Sequence, residues 1–146
     1  MAAPSAWALY HQFKLKLGEK ILDLTSDTIK MALFTSSSNA GSASLAGATY
    51  SNLTNEVSNA NGYTTAGVTC AATWTNSSGT ETFDVADASW TASGSGITAR
   101  FAVIYDSTTG DLIAFSILDS APADVTVAAG NTLTVQINAS GAFTAV

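Results

Sequence analysis

Charge is what this chain has least of. Only 11% of its 146 residues are Asp, Glu, Lys or Arg, against about 25% in an average soluble domain. What charge there is divides unevenly. Residues 1–30 carry Lys14, Lys16, Lys20 and Lys30 against Glu19, Asp23 and Asp27, whereas residues 31–146 carry Arg100 alone against eight acids. A body with one cation repels phosphate, so counterion-release binding of nucleic acid is excluded. One cysteine, Cys70, leaves no partner for an intrachain disulfide and reads as a small buried thiol. One histidine, His11, far from Cys70 in sequence, is too little for a triad or a zinc site, both of which need several such groups to converge. No apolar run approaches the ~20 residues of a membrane helix, and the start lacks the basic and apolar regions of an export signal. The expectation is a protein made in the cytoplasm, with no cofactor, no metal and no enzymatic activity.

About half of the positions are Ala, Ser, Thr or Gly, and 47% are hydrophobic. The surface must therefore be covered largely by hydroxyls and methyls, which suits packing against copies of the chain or a large partner. The length fits one domain. Within it residues 1–18 read as a helix, 19–35 as a first strand region, 36–60 as an extended arm or loop, and 61–146 as a β body. In "SAWALYHQFKLKLG", Ser5 is a candidate N-cap and Gly18 a stop. Ala6, Leu9, Tyr10, Phe13 and Leu17 form one stripe, leaving Leu15 outside it and Trp7 at its flank as anchors for a neighbour. "SDTIKMALFTS" alternates Ile29, Met31 and Leu33 against Lys30, Ala32 and Phe34, as a strand does.

Residues 36–60 show no period, and structureless loops beyond about 12–15 residues are uncommon in compact domains. With Tyr50, Leu53 and Val57 to dock, they read as an arm that becomes ordered on contact. From Asn61-Gly62 onward short strands alternate with turns: "GVTCAATWT", "TETFDV", "ASWTAS", "ITARFAVIYD", "DLIAFSILD", "DVTV" and "TLTVQIN". The fold class expected is mainly β, an antiparallel sandwich or barrel with one N-terminal helix. Ile97, Ala99, Phe101, Val103 and Tyr105 share one face of a continuous strand. Because the opposite face is also apolar, the hairpin needs two covers, the second being the helix or a neighbouring subunit.

Chemistry-bearing patterns are sparse. Asp84 with Asp87, Asp106 with Asp111, and Asp119 with Asp124 flank strand ends, where Asp caps backbone amides. "DSTTGD" (106–111) lacks the oxygen ligands of a calcium loop and reads as a hairpin turn. Gly94 and Gly96 lead into a strand rather than a helix, so "SGSG" is a turn and not a phosphate cradle. Arg100 is expected to pair with an acid or carbonyl at the sheet's rim. Trp74, Trp90, Tyr50 and Tyr63 are the side chains with which a sugar face would stack, if exposed; in phase with Val68 and Cys70, Trp74 reads rather as core, and so does Trp90.

Taken in order, "DLTSDTIKMALFTSS", "NEVSNANGYTTAGVTC", "FDVADASWTASGSGITARFAVIYD" and "GDLIAF" resemble a family of small virion structural proteins of tailed bacteriophages. The most specific pieces are Ser26 to Lys30, Gly62-Tyr63 with Gly67, Trp90-Thr91, and Ile97 to Arg100 with Val103 to Asp106. The family's usual single residue between Trp-Thr and Ile-Thr-Ala-Arg is expanded here to "ASGSG", so that turn is not a shared functional motif. The resemblance implies a capsid cement or decoration protein on the outer surface of the virion head, with a tail or head-fibre component, including a carbohydrate-binding module, as the alternative. It implies the major capsid protein and further copies of the chain, a trimer by preference, as partners. Trp7, Leu15, Tyr50, Leu53, Val57 and Tyr63 are the candidate assembly contacts; neither nucleic acid nor membrane is expected.

Overall fold

The computed structural model describes residues 6–121 and 123–146, so Met1 to Ser5, including the candidate cap Ser5, lie outside it, as does Pro122. It is mainly β with one helix, in several antiparallel sheets. In chain order come β1 (Ala8–Leu9), α1 (His11–Gly18), β2 (Ile29–Phe34), β3 (Val68–Thr69), β4 (Ala72–Ser77), β5 (Thr80–Val85) and β6 (Ala88–Thr91). β7 (Ile97–Ala99), β8 (Phe101–Asp106), β9 (Leu112–Ile117), β10 (Val125–Val127), β11 (Thr132–Val135) and β12 (Phe143–Ala145) follow. A central sheet has the order β1-β9-β8-β2-β3; the rest form the ribbons β10-β7 and β11-β6 and the sheet β12-β5-β4.

The alternation read in β2 sets the layers. Ile29, Met31 and Leu33 enter the main core with Ala102, Ile104 and Ile113, facing Phe83, Trp90, Ile97, Leu133 and Val135 from the smaller sheets. Ala32 and Phe34 point the other way, with Val103, Tyr105, Leu112 and Phe115. Two strands expected to be continuous are broken where the chain changes partner. β3 pairs with β2 and β4 with β5; between them Cys70 N–H donates to Ile29 O (2.9 Å) and Ala71 O accepts from Ala86 N–H (2.8 Å). β7 pairs with β10 and β8 with β2, and Arg100 is the bend between them. The bend reverses the side-chain phase, so Ile97 and Ala99 share the main core with Ala102 and Ile104, not a face with Phe101, Val103 and Tyr105. Strands that switch sheets through such bends make the corners of a sandwich. In β9 a register shift opposite Ile104/Tyr105 likewise puts Ile113 and Ala114 into the same core.

The N-terminal helix is shorter than its apolar spacing predicts. Ala8 and Leu9 are extended and pair with Phe115 and Ala114, and Tyr10 N–H donates to Ile113 O (3.1 Å), so sheet hydrogen bonds override helical periodicity there. Tyr10 is the N-cap residue, and of the expected stripe Phe13 is buried against Phe143 at 5.3 Å while Leu17 is half-buried. The helix does end at Gly18, as expected, but its closing turn is made by the residues after the glycine. Ile21 N–H donates to Lys16 O (3.0 Å) and Lys20 N–H to Leu17 O (3.2 Å), the two bonds of a Schellman turn, with Lys20 left-handed at φ 59°.

The second cover of the central sheet is neither the helix nor another chain. It is the 36–60 segment, folded over the outer face with 3-10 turns at Asn39–Gly41 and Tyr50–Asn52. Ala40 and Ala48 are buried there beside Phe34 and Tyr105, with Leu45, Tyr50 and Leu53 packed around them. Stitches tie it down along its length: Tyr10 Oη to Ala40 O (2.6 Å), His11 N to Ala43 O (2.9 Å), Leu112 N to Ala48 O (2.8 Å) and Val57 N to Leu33 O (3.0 Å). Its order comes from the chain's own sheet, which corrects the expectation of an arm awaiting a partner.

Candidate functional site

The candidate contact residues do not form one surface. Leu15 is 59% exposed near the end of α1, and Ile21, which the sequence reading passed over, is 40% exposed just beyond it. Trp7 is half-buried against the main core, and Tyr50 and Leu53 are half-buried against the outer one. Val57 and Tyr63 are buried, so their side chains secure the interior and cannot meet a neighbour.

Tyr50 and Tyr63 converge on Glu56, a residue the sequence reading did not single out. Its carboxylate accepts hydrogen bonds from Tyr50 Oη, from Tyr63 Oη (2.6 Å) and from Ala66 N–H (2.7 Å). Tyr63 Oη in turn accepts from Leu33 N–H (3.0 Å), and Tyr105 Oη donates to Ala66 O (2.8 Å). Tyr50 stacks on Tyr105 at 4.6 Å. Burial first, and then the Glu56 charge, pushes the Tyr105 phenol up to about 12; the Tyr50 and Tyr63 phenols are raised by burial and next by their hydrogen bonds to Glu56. All three stay neutral donors, so the cluster is a clasp that fastens the 36–60 cover to the sheet.

Two glycines of the resemblance motifs have an equally structural task. A Cβ on Gly67 would lie 1.9 Å from Met31 O, and one on Gly62 would lie 2.0 Å from Thr91 O, both at positive φ. Backbone meets backbone there, and only glycine admits the approach. Arg100 fulfils its expectation: Nε donates to Asp124 Oδ1 at 2.8 Å. Asp87, Asp106 and Asp119 accept backbone N–H bonds at strand ends.

One carboxyl is unusual. Asp106 is fully buried, with Oδ1 accepting from Thr108 N–H (2.7 Å) and Oδ2 without a donor. Burial, reinforced by the neighbouring Asp27 carboxyl, raises it to about 6. Burial also raises the Cys70 thiol, which makes it a poor nucleophile at neutral pH. Among the described residues no three His, Cys, Asp or Glu side chains come together in a way that holds a metal, and no described helix is long and apolar enough to cross a membrane.

The outward faces of the ribbons are uncharged. Ser89 pairs with Thr134 (2.9 Å), Thr91 with Thr132 (3.2 Å) and Thr98 with Thr126 (3.0 Å), hydroxyl to hydroxyl across the strands. Thr73, Thr75 and Ser77 continue this character on β4.

A cavity of about 320 Å³ lies between the turn after α1 and β4, with Leu17, Lys20, Asp23, Thr25 and Trp74 in its wall. Trp74 is half-buried, not enclosed as expected, since β4 runs at the margin of the core; Phe83 and Phe143 pack against it at 6.4 and 6.0 Å. Asp23 accepts from Thr25 N–H (2.9 Å) and Thr25 Oγ1, and the Thr25 and Ser26 hydroxyls hold its carboxyl down to about 2. Trp90, by contrast, is 3% exposed and its Nε1 has no partner. No family model, curated protein or solved structure matches the chain.

Proposed function

We propose that this chain is a virion structural protein, a cement or decoration protein that binds the outside of a phage head and stabilises contacts between capsomers. The observation that carries the reading is where the motifs of the resemblance fall. Gly62, Tyr63, Gly67, the Arg100 bend and Asp106 are the joints at which backbones touch, strands change partner and the loop cover is clasped. A signature made of framework residues fits a protein selected to keep a shape in many copies. The uncharged Ser/Thr faces and the exposed Leu15 and Ile21 supply surface for shallow contacts with a shell and with other copies. Such contacts are weak singly and effective when repeated around a particle.

Quantitative mass spectrometry and imaging of purified particles test the reading. Roughly hundreds of copies per particle on the head are expected, as repetition requires; tens of copies, or a position on the tail, would overturn it in favour of a tail or fibre component. Leu15→Asp and Ile21→Asp are expected to leave the fold intact and to weaken binding to empty shells. Removing residues 1–18 is a poor probe, because β1 and Phe13 belong to the sheet and core.

A further inference from the structure

From the cavity beside Trp74 we infer that the chain holds a saccharide site, with Trp74 as the platform for one face of a sugar ring and Lys20, Asp23 and Thr25 as the hydrogen-bonding rim. Three independent features meet there. The cavity volume, about 320 Å³, lies at the lower end of the range for small-ligand sites, which suits one ring with its substituents. Trp74 is a half-buried indole braced by Phe83 and Phe143, so it offers an apolar face at a fixed angle with little entropy to lose; the C–H face of a pyranose has matching shape and polarity. The same wall carries the amine of Lys20, the hydroxyl of Thr25 and the Asp23 carboxylate, which remains ionised throughout the neutral range. A carboxylate has about four lone-pair directions, and the Thr25 and Ser26 contacts leave this exposed group room to accept from vicinal hydroxyls.

The backbone supplies a fourth feature. Lys20 occupies the left-handed position of the Schellman turn, where glycine is the usual residue. A side chain there is strained, and strained non-glycine residues concentrate where function holds them. From this turn Lys20 lines the cavity. A shallow site of this kind binds single sugars in the millimolar range, with useful avidity only in many copies. Its residues are not those proposed for shell contact, although Ile21 adjoins Lys20 in the turn and Thr73 and Thr75 flank Trp74 on β4.

The test titrates the isotope-labelled full chain with methyl glycosides of glucose, galactose, mannose and N-acetylglucosamine to about 50 mM, with cyclohexanol as an apolar control. The Trp74 indole N–H signal is told apart by Trp7→Phe and by slow exchange of the buried Trp90 N–H. At least one glycoside is expected to shift the Trp74 indole and the amides of residues 20–25, and cyclohexanol to leave them in place. Lys20→Gly is expected to raise the melting temperature by a few degrees, relieving the turn, while weakening the sugar about threefold or more; Thr25→Ala should weaken it while lowering the melt only by the loss of one exposed hydrogen bond to Asp23. No glycoside shifting Trp74 at that concentration, shifts confined elsewhere, an equal response to cyclohexanol, or full affinity in both variants would overturn the inference.

Discussion

The two faces of the central sheet are covered by different means. One is roofed by strands whose alternating side chains, Trp90, Leu133, Val135, Ile97 and Phe83, interdigitate with Met31, Leu33 and Ile104. The other is roofed by residues 36–60, mostly small and polar, which bring few large apolar groups and are fixed by backbone stitches and the Glu56 clasp. A regular roof draws on apolar area; an irregular one draws on satisfied polar groups, each costly to orphan once buried. The difference predicts a sheet side that opens only with global unfolding and a loop side that opens locally.

The largest effect is expected where both roofs depend on one joint. Gly67→Ala should cost more than about 4 kcal/mol or prevent folding, because the new methyl collides with Met31 O; a soluble variant with an unchanged melting curve would contradict that contact. Leu133→Ala attacks the strand roof and should cost about 3 kcal/mol in denaturant unfolding, with exchange rising across the whole chain. Glu56→Ala attacks the loop roof by leaving Tyr63 Oη and Ala66 N–H without their acceptor. It should cost about 2 kcal/mol, with amide exchange accelerated first at residues 45–57. Uniform acceleration in both variants would erase the distinction between the roofs.

Smaller effects test the edges. The folded state holds a proton on Asp106 up to about pH 6, against an unfolded value of 3.8, so this group's contribution is present in full below pH 3.8 and lost as pH rises through 6. A two-unit shift corresponds to about 3 kcal/mol at most. The melting temperature should therefore rise from pH 7 to pH 5, and Asp106→Asn, which keeps the Oδ1 acceptor for Thr108, should flatten that slope. Asp23 acts in the opposite sense, its contribution being lost only as pH falls from 3.8 through about 2. Arg100→Ala removes a partly exposed pair with Asp124 and should cost about 0.5–1 kcal/mol, with no selective opening of either roof.

Much of the central sheet and its strand roof was readable in the sequence because alternation is local. β2, the 106–111 hairpin turn, and the outward hydroxyls of β6, β7, β10 and β11 all follow from spacing and turn residues. The errors fall where a long-range hydrogen bond competes with local pattern. Ala8 and Leu9 have helical spacing but lie beside β9, and Arg100 sits within apparent alternation but bonds through its backbone to Phe34 O. Glu56 and Lys20 carried no signal by type or spacing, since their importance lies in partners and a backbone angle supplied by the fold.

The sequence by itself determined the class of the molecule: a β domain with one short helix, a weakly charged hydroxyl surface, and no convergence of histidines or cysteines, since composition and short-range periodicity do not depend on how the chain is arranged. Only the tertiary structure decided which apolar residues share a core, that 36–60 is a roof and not a free arm, and that Trp74 borders a cavity while Trp90 is enclosed. Those outcomes depend on the parity of side chains across bends and on contacts between residues far apart in the chain, which no local pattern encodes.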